Sequence, residues 1–279
     1  MCSKQRIFSF QKQLLHWYAV HGRDLPWRKT TNAYHIALSE LMLQQTQVSR
    51  VIKKYALFTE KYNKPEQLLS APLSEVLFDW QGLGYNRRAL YARNVALLCA
   101  QTSKPSFEQL LEVKGIGTYS AAAICIFAYN HDRAAIDVNV RRVLSRVFGA
   151  VSDAFIATLV PVGKSRDWHN ALMDFGSVVC TKKNPSCATC IFKESCTAVN
   201  QGLLSSEKTL SQKKFLGSVR WHRGQILKQL VLYPHTHEKL FTMLEPRRYR
   251  TKKAYEEALN QLIQESFLEQ VQDKYRIKE

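Results

Sequence analysis

The sequence is poor in acidic residues and contains no long apolar run. Only 23 Asp and Glu stand against 40 Lys and Arg, which gives a formal net charge of +17 over 279 residues. No stretch approaches the ~20 consecutive apolar residues of a membrane-spanning helix. Residues 1–6 do not begin an apolar segment of signal-peptide length either. These absences exclude a membrane-spanning class, and we expect a protein of the cytosol.

The excess of positive charge indicates a polyanionic partner. Lys and Arg on one face of a protein displace counterions from phosphates when they bind nucleic acid. A surface that only has to remain soluble needs a net charge of about 2 to 8 of either sign. A charge of +17 therefore favours a nucleic-acid-binding protein over one that is merely soluble.

The first 200 residues lack any convincing alternation of polar and apolar positions, so no half-buried strand is predicted there. Residues 5–20 instead carry apolar side chains at helical spacing. Helical patterns continue to about residue 180, with breaks at glycine and proline positions. With 46% apolar residues, the chain has material for two or three compact units. This part is predicted to be almost entirely helical.

The C-terminal part has a different pattern. Residues 201–214 form a polar tract that is typical of a linker. Beyond it, residues 223–232 and 255–264 have helical patterns. Residues 267–271 and 275–277 are predicted to form two short strands joined by a turn. Helix, helix and hairpin in that order predict a small winged-helix-like module over residues 215–279.

Seven cysteines are present, and four of them fall within 17 residues: Cys180, Cys187, Cys190 and Cys196. In a reducing compartment such crowding favours a metal site over disulfides. Structural zinc sites usually consist of two short cysteine pairs far apart, whereas here one close pair belongs to a single compact stretch. The spacing therefore favours a [4Fe–4S] cluster over zinc. Cys99 and Cys125 lie in apolar helical segments and are interpreted as core residues.

Gly115 and Gly117 lie between two helical patterns, residues 107–112 and 119–129. Two glycines separated by one residue permit a tight turn whose amides stay open at the next helix N-terminus, an arrangement that binds phosphate. A G-x-G pattern alone is weak evidence. Between two helices, and with Asp137 about 20 residues further on, it predicts a helix–hairpin–helix that holds a DNA backbone without reading its sequence.

Two acidic residues are candidates for catalysis. Asp137 precedes a helical pattern, where it also fits an N-cap worth about 1 kcal/mol. Glu40 is flanked by apolar residues, and a buried carboxyl group there would have a raised pKa suited to an acid catalyst. Taken singly, each residue type at such a position is more often structural than catalytic.

In combination, these features resemble the helix–hairpin–helix glycosylase superfamily, which includes endonuclease III, and within it the adenine DNA glycosylases of the MutY type. The resemblance covers residues 5–200. Its motifs are residues 25–28, 38–48 and 80–85, the glycine hairpin, Asp137 and the four-cysteine stretch. It implies a mostly α glycosylase domain over residues 1–200. Within that domain it implies a six-helix barrel subdomain at 30–133 and an iron–sulfur cluster subdomain at 5–29 and 134–200.

The resemblance also implies a reaction, the hydrolysis of the N-glycosidic bond of an adenine mispaired with 8-oxoguanine or guanine in double-stranded DNA. Glu40 matches the general acid that protonates the flipped adenine and then handles the incoming water. Asp137 matches the carboxylate that stabilises the cationic sugar, and Asn139 matches a supporting residue beside it. Two carboxyl groups divide the work in this way in other glycosidases. Base flipping is needed because the target atom is inaccessible within the stack.

Position 119 indicates the subclass. Relatives such as endonuclease III carry a lysine at this site, which forms a Schiff base and then cleaves the strand. Tyr119 cannot form a Schiff base, because it has no amino group. The resemblance therefore implies a monofunctional enzyme, in which Tyr119 orients the catalytic groups.

Further DNA contacts are implied for Gln44, Gln45, Thr46 and Tyr85, together with Gly115 and Gly117 of the hairpin. The first four match residues that probe the double helix or wedge into it around the estranged base. Two structural alternatives stay open. Thr46 also fits a cap of the next helix, and Tyr85 also fits a loop aromatic that packs on the barrel.

The chain departs from the family pattern in three places. Val138 stands where the family usually has glycine, and Asn86 stands where a second tyrosine often follows Tyr85. Only 83 residues follow Cys196, and they lack the pattern of the NUDIX-like domain with which longer members recognise 8-oxoguanine. Residues 215–224 instead resemble the tail of shorter adenine glycosylases. The resemblance thus supports the chemistry on adenine more strongly than the selectivity for 8-oxoguanine.

Two other functions are compatible with the same fold. One is a glycosylase that acts on thymine or uracil opposite guanine, although an acid placed like Glu40 suits the protonation of a purine nitrogen. The other is a non-catalytic DNA-binding protein, but such a protein would not need both carboxyl groups. The sequence indicates no obligate oligomer, so a monomer is expected, associated with the nucleoid if its source is bacterial.

Overall fold

The computed structural model describes residues 3–203 and 214–279. Cys2 and residues 204–213 of the predicted linker lie outside the described residues. The α-helices are, in chain order, α1 (Lys4–His21), α2 (Ala33–Leu43), α3 (Val48–Lys61), α4 (Pro65–Ser70), α5 (Leu73–Trp80), α6 (Arg87–Gln101), α7 (Phe107–Glu112), α8 (Thr118–Tyr129), α9 (Val138–Phe148), α10 (Asp153–Thr158), α11 (Ser165–Val178), α12 (Thr197–Asn200), α13 (Val219–Leu230), α14 (His237–Thr242) and α15 (Lys252–Gln264). The strands are β1 (His235–Thr236), β2 (Leu268–Val271) and β3 (Lys274–Ile277). The predicted mostly helical fold is confirmed.

The described residues form two compact units. The first comprises residues 3–40, 103–112 and 116–203, and the second comprises residues 41–102, 113–115 and 214–279. These units do not follow the division into barrel, cluster and C-terminal parts, which stays a prediction. In the described parts of the chain, no helix is both long enough and apolar enough to cross a membrane.

The core of the first unit lies among α1, α9 and α11. The Ser3 side chain caps α1, and Phe10 and Leu14, one turn apart, are the residues that α1 buries completely. Both belong to one apolar cluster with Trp168 and Phe175 of α11. The helical spacing of apolar residues in 5–20 thus reflects a single face of α1 that packs on this core.

A buried ion-pair network connects the segment after α1 to α11. The Asp174 carboxylate is fully buried. It accepts hydrogen bonds from Arg23 Nε at 2.7 Å and from both terminal nitrogens of Arg28 at 2.8 Å. Burial by itself would raise the pKa of Asp174, but the hydrogen bonds from Arg28 and from the Arg23 amide hold that pKa below its ordinary value. Residues 25–28, which carry one of the family motifs, are anchored by this network.

The second unit contains α3 to α6 and the C-terminal elements. Trp80, at the end of α5, is fully buried against Phe58 of α3, and the two ring centroids lie 5.6 Å apart. The C-terminal sheet is antiparallel with strand order β1-β3-β2, and Leu268 lies opposite Ile277. α13 and α15 pack on each other, and they also contact β3 and β2, respectively, while α14 contacts β1.

The predicted order of helix, helix and hairpin in the C-terminal module is confirmed. α13 begins four residues earlier than predicted, at Val219, because the Ser218 hydroxyl accepts a hydrogen bond from the Trp221 amide and caps the helix. α14 and β1 were not predicted. With six and two residues, they are too short to show a helical or strand period in the sequence.

Candidate active site

Asp137 is the N-cap of α9, and its side chain is held by three hydrogen bonds. One carboxylate oxygen accepts from the Asn139 amide at 2.9 Å and from the Val140 amide at 2.7 Å. The other accepts from the Asn139 side-chain nitrogen at 2.9 Å. The structural interpretation of Asp137 as a cap is therefore correct. The cap also places a carboxylate at the positive end of a helix dipole, where a negative charge is favourable.

Asn139 is held in turn by Arg142, one turn further along α9. The Arg142 guanidinium donates to the Asn139 side-chain oxygen at 2.8 Å and to the carbonyl oxygens of Gly176 at 2.7 Å and Cys180 at 3.0 Å. A Cβ atom at Gly176 would lie 3.1 Å from the Cβ of Asn139, so α11 approaches α9 closely here. The orientation of Asn139, and through it that of Asp137, therefore depends on the backbone at the first of the four cysteines.

A buried histidine fixes the segment that leads to Asp137. His169 of α11 is fully buried. Its Nε2 accepts from the Ala135 amide at 3.0 Å, and its Nδ1 lies 2.7 Å from the Ser165 carbonyl oxygen. Burial lowers the pKa of His169 to about 4, and a neutral ring with its proton on Nδ1 satisfies both bonds. His169 was not among the residues predicted for the site. The sequence gives no local signal for this role, because the Ala135 amide that His169 contacts lies 34 positions away.

Glu40 lies in α2 among apolar residues and is only 9% exposed. Burial, and next the negative charge of Asp137, raise the pKa of Glu40 to about 7. The two carboxyl groups therefore interact, although 97 positions separate them in the sequence. Near neutral pH a substantial fraction of Glu40 carries a proton, as a general acid requires.

Tyr119, in the first turn of α8, completes the group. Burial raises the pKa of its hydroxyl well above the ordinary value, and the charges of Glu40 and Asp137 raise it further. The hydroxyl is therefore neutral and remains a hydrogen-bond donor. The first unit thus brings together the four residues predicted for catalysis: Glu40, Tyr119, Asp137 and Asn139.

The two glycines of the hairpin between α7 and α8 have different roles. Gly115 has φ +100°, and a Cβ atom there would lie 2.0 Å from Cγ of the Tyr91 ring. Glycine is required at this position by backbone conformation and by close packing. Gly117 has an extended backbone and precedes α8, and a Cβ atom there would meet nothing within 4 Å. The open amides at the start of α8 are consistent with the predicted phosphate contact.

The predicted DNA-probing residues Gln44, Gln45, Thr46 and Tyr85 belong to the second unit. Gln45 and Tyr85 both have left-handed backbone conformations, with φ of 54° and 49°, which are uncommon for residues other than glycine. Thr46 does not cap the next helix, because α3 has Gln47 at its N-cap position without a side-chain cap. Its hydroxyl lies 3.3 Å from the Leu83 carbonyl oxygen instead. The two segments that carry these residues are therefore in contact.

Arg88 holds those two segments together. It is 4% exposed, and burial lowers the pKa of its guanidinium to about 10. Its terminal nitrogens donate at 2.6 to 3.1 Å to the carbonyl oxygens of Leu41, Met42, Gln44, Leu83 and Gly84 and to the hydroxyl of Thr46. Arg88 was not predicted to be a site residue. Its place on the buried face of α6 with Ala92 and Ala96 is the signal that could have found it.

The Tyr85 side chain contacts charged groups and is not a loop aromatic buried in an apolar core. Its side chain is 38% exposed, and it lies between two cations. The guanidinium carbon of Arg220 is 5.1 Å from the ring centroid, and that of Arg88 is 5.5 Å from it. Arg220 also donates a hydrogen bond to the Tyr85 hydroxyl. The position of this exposed ring is therefore set by charged groups and not by an apolar core.

The four clustered cysteines lie close enough to influence one another. Burial and the charges of Cys180 and Cys196 raise the pKa of Cys187, and a similar set of causes raises that of Cys190. Arg146 reaches the Cys180 sulfur at 3.5 Å, and the Phe192 amide reaches the Cys190 sulfur at 3.4 Å. In residues 3–203 and 214–279, however, no three or more His, Cys, Asp or Glu side chains are arranged to hold a metal ion.

The chemistry of this donor set still fits a cluster. Cysteine sulfurs are the ligands of iron–sulfur clusters, and hydrogen-bond donors, Arg146 and the Phe192 amide, approach two of these four sulfurs. Of the other cysteines within the described residues, Cys125 is buried and Cys99 is half-buried, in line with their interpretation as core residues.

Comparisons with known proteins show which families the chain is similar to. Residues 38–154 match the family model described as HhH-GPD superfamily base excision DNA repair protein. The adenine DNA glycosylase of Mycolicibacterium smegmatis is 34% identical over 77% of this chain and 78% of its own length. That of Buchnera aphidicola subsp. Baizongia pistaciae is 32% identical over 74% of this chain, which spans only 63% of that protein's length. A thymine/uracil-DNA glycosylase of Methanothermobacter thermautotrophicus is 30% identical over 67% of this chain and 92% of its own length.

Solved structures show the same fold. A thermostable thymine-DNA glycosylase superposes with a TM-score of 0.66 at 29% identity, over 71% of this chain and 98% of its own. Endonuclease III in a trapped DNA covalent intermediate superposes with a TM-score of 0.62 over 73% of this chain and 100% of its own. Its identity of 20% is evidence for the fold alone. The predicted helix–hairpin–helix glycosylase fold is confirmed.

Replacing Arg88 by methionine is expected to lower the free energy of unfolding by about 3 kcal/mol or more, because buried carbonyl groups would lose their donors. Arg87→Met is the matched control, since this neighbouring arginine is exposed and pairs with Glu265. Its loss is expected to be below about 1 kcal/mol. Urea unfolding of the full chain measures both values. Equal losses in the two variants would contradict the role assigned to Arg88.

Proposed function

Because this chain belongs to the helix–hairpin–helix base excision DNA repair superfamily, and within it to the adenine DNA glycosylases of the MutY type, we propose that it hydrolyses the N-glycosidic bond of a mispaired adenine. The partner base is 8-oxoguanine or guanine in double-stranded DNA. The observation that carries this proposal is the pair Glu40 and Asp137, in which one carboxyl group has a raised pKa and the other is a hydrogen-bonded helix cap.

Breaking the bond places positive charge on the sugar and negative charge on the departing base. Glu40, which carries a proton up to about pH 7, donates that proton to a ring nitrogen of the adenine, so that the base leaves neutral. The resulting Glu40 carboxylate then accepts a proton from the water that attacks the sugar carbon. The proton balance closes with Glu40 protonated again, so the residue serves as acid and then as base.

Asp137 stabilises the positive charge that develops on the sugar. Its carboxylate is oriented by Asn139 and by the first amides of α9, and it provides a fixed negative charge for the sugar as positive charge develops there. Fixed charges and dipoles of this kind stabilise a transition state without reorganisation during the reaction. The arrangement matches the general division of labour between two carboxyl groups in glycosidases.

The DNA-binding part of the proposal has separate support. The formal charge of +17 suits a phosphate backbone, and the amides after Gly117 suit phosphate contact. Gln45 and Tyr85 are presented on exposed, left-handed backbone positions, which suits side chains that enter a base stack. A target adenine must leave the stack to be protonated, since its reacting atoms are otherwise inaccessible.

A second candidate function is the removal of thymine or uracil opposite guanine. It is favoured by the likeness to the thymine/uracil-DNA glycosylase, which this chain matches over 92% of that protein's length. Glu40 favours adenine, because protonating a purine nitrogen makes direct use of an acid whose pKa is about 7. Base release from thymine–guanine and uracil–guanine duplexes, measured beside adenine duplexes, separates the two functions.

We further propose that Cys180, Cys187, Cys190 and Cys196 hold a [4Fe–4S] cluster. Bound there, the cluster would join four points of a loop that carries the carbonyl group contacted by Arg142. In this proposal its contribution is structural. The residues of this chain alone perform the proton transfers described above.

The cluster is tested by the iron and acid-labile sulfide content of the purified chain, for which we expect about four of each per chain. Cys190→Ser is expected to lose most of the iron, whereas Cys99→Ser, outside the four-cysteine stretch, is expected to retain it. Stoichiometric zinc in place of iron, or equal iron in the two variants, would show that the proposal is wrong.

The rate of adenine release under single-turnover conditions is expected to fall as pH rises through about 7, by about tenfold per pH unit well above that value, because only protonated Glu40 donates. Glu40→Gln is expected to reduce the rate by about 10²- to 10⁴-fold and to abolish this fall with pH. Glu60→Gln, at an exposed position of α3, is the matched control. Full activity in Glu40→Gln would contradict the assignment of the acid.

We infer from Tyr119 that the enzyme is monofunctional. On a duplex with adenine opposite 8-oxoguanine, strand breaks are expected only after alkali treatment, because no amino group is available at position 119 to form a Schiff base. A gel that compares treated and untreated samples measures this. Strand breaks without alkali, or a product trapped covalently by borohydride, would refute the inference.

A further inference from the structure

A groove of about 1310 Å³ lies between α13 of the C-terminal module and the turn that precedes α6. All of its lining residues belong to the second unit. The functions proposed so far give the C-terminal module no task, and they use only Gln44, Gln45 and Tyr85 among the residues that line this groove. The chemistry of the groove can therefore be considered by itself.

Positive charge dominates the groove. Its lining includes five arginines and one lysine, with Glu265 as its one carboxylate within the described residues. Glu265 is shared by Arg87 and Arg223, and its pKa is lowered by hydrogen bonds from both of them against the effect of burial. In the parts of the chain that the structure describes, Arg50, Arg220 and Lys228 are exposed and have no carboxylate within ion-pair distance. Their charge is available to an anionic ligand.

Two exposed aromatic rings flank one of these cations. The Arg220 guanidinium carbon lies 4.9 Å from the ring centroid of Phe215 and 5.1 Å from that of Tyr85. Phe215 is 47% exposed and Tyr85 is 38% exposed. Exposed aromatic rings and planar guanidinium groups are the surfaces on which unpaired nucleobases stack.

We propose that this groove binds an unpaired nucleotide of the DNA. The base stacks on the exposed Phe215 ring, at the end of a row in which Arg220 lies between Phe215 and Tyr85, and the phosphate is held by Arg50 and Lys228. This inference rests on the proposed function in one respect, since it takes DNA as the ligand. It gives the C-terminal module a direct part in DNA binding.

The test uses the full chain and two duplexes that contain no adenine at the central position. In one duplex a guanine faces a tetrahydrofuran abasic analogue and is unpaired. In the other the same guanine is paired with cytosine. Neither duplex offers a base to release, so the dissociation constants do not depend on catalysis.

Arg220→Ala and Phe215→Ala are each expected to weaken binding of the duplex with the unpaired guanine by roughly tenfold, because base stacking is worth about 1–3 kcal/mol. Both should change binding of the paired duplex much less. Arg276→Ala is the matched control, since this arginine lies on β3 of the same module, is paired with Glu269 and does not line the groove. It is expected to affect both duplexes equally and by less than a factor of about two.

Equal effects on the two duplexes in Arg220→Ala and Phe215→Ala would overturn the proposal. An effect of Arg220→Ala alone would overturn it as well, because it would mean that Arg220 only supports Tyr85. The fluorescence of 2-aminopurine, placed as the unpaired base, gives an independent measurement. It should be quenched on binding to the unaltered chain and remain high with Phe215→Ala.

The two proposals fail in different ways. If the unaltered chain releases no adenine from any mispair, the proposed function is wrong, whatever the groove binds. If it releases adenine while both groove variants bind the two duplexes like the control, only the groove proposal is wrong.

Discussion

The candidate chemistry depends on the burial of one carboxyl group, Glu40, close to the negative charge of a second, Asp137. Glu40 has little access to water, and the charge of Asp137 disfavours a second negative charge near it, so the pKa of Glu40 rises to about 7. Asp137 is at the positive end of α9 and accepts three hydrogen bonds. The same site therefore contains a carboxyl group that can carry a proton near neutral pH and a carboxylate, so the same functional group has two roles in two environments.

The position of the Asp137 carboxylate is maintained by groups further from the site. Arg142 connects Asn139 to the carbonyl oxygens of Gly176 and Cys180, and His169 holds the amide of Ala135. Each of these contacts joins a segment near Asp137 to α11 or to the start of the four-cysteine stretch. The position of the carboxylate is thus fixed from two sides, and it depends on a buried, neutral histidine as well as on a cation.

The second unit uses a buried cation in a comparable way. Arg88 gathers carbonyl groups from residues 41–44 and 83–84, and the uncommon backbone conformations of Gln45 and Tyr85 lie directly beside those segments. Such conformations persist where surrounding contacts determine them. The C-terminal module adds Arg220 against the Tyr85 ring.

The sequence by itself determined the family, the mostly helical fold and the order of α13, α15 and the C-terminal hairpin, and it predicted the two candidate carboxyl groups. It could do so because glycine spacing, apolar periodicity and a compact set of cysteines are local patterns, and each can be recognised within a short stretch of sequence. Tertiary structure alone decided that Glu40 interacts with Asp137 and that His169 supports the segment before Asp137. It also decided that Arg88 is buried and binds the carbonyl groups of two segments, whereas most arginines lie on the surface. Those outcomes depend on burial and on contacts between residues far apart in the chain. The pKa of a carboxyl group and the partners of a guanidinium follow from such surroundings, which no short stretch of sequence contains.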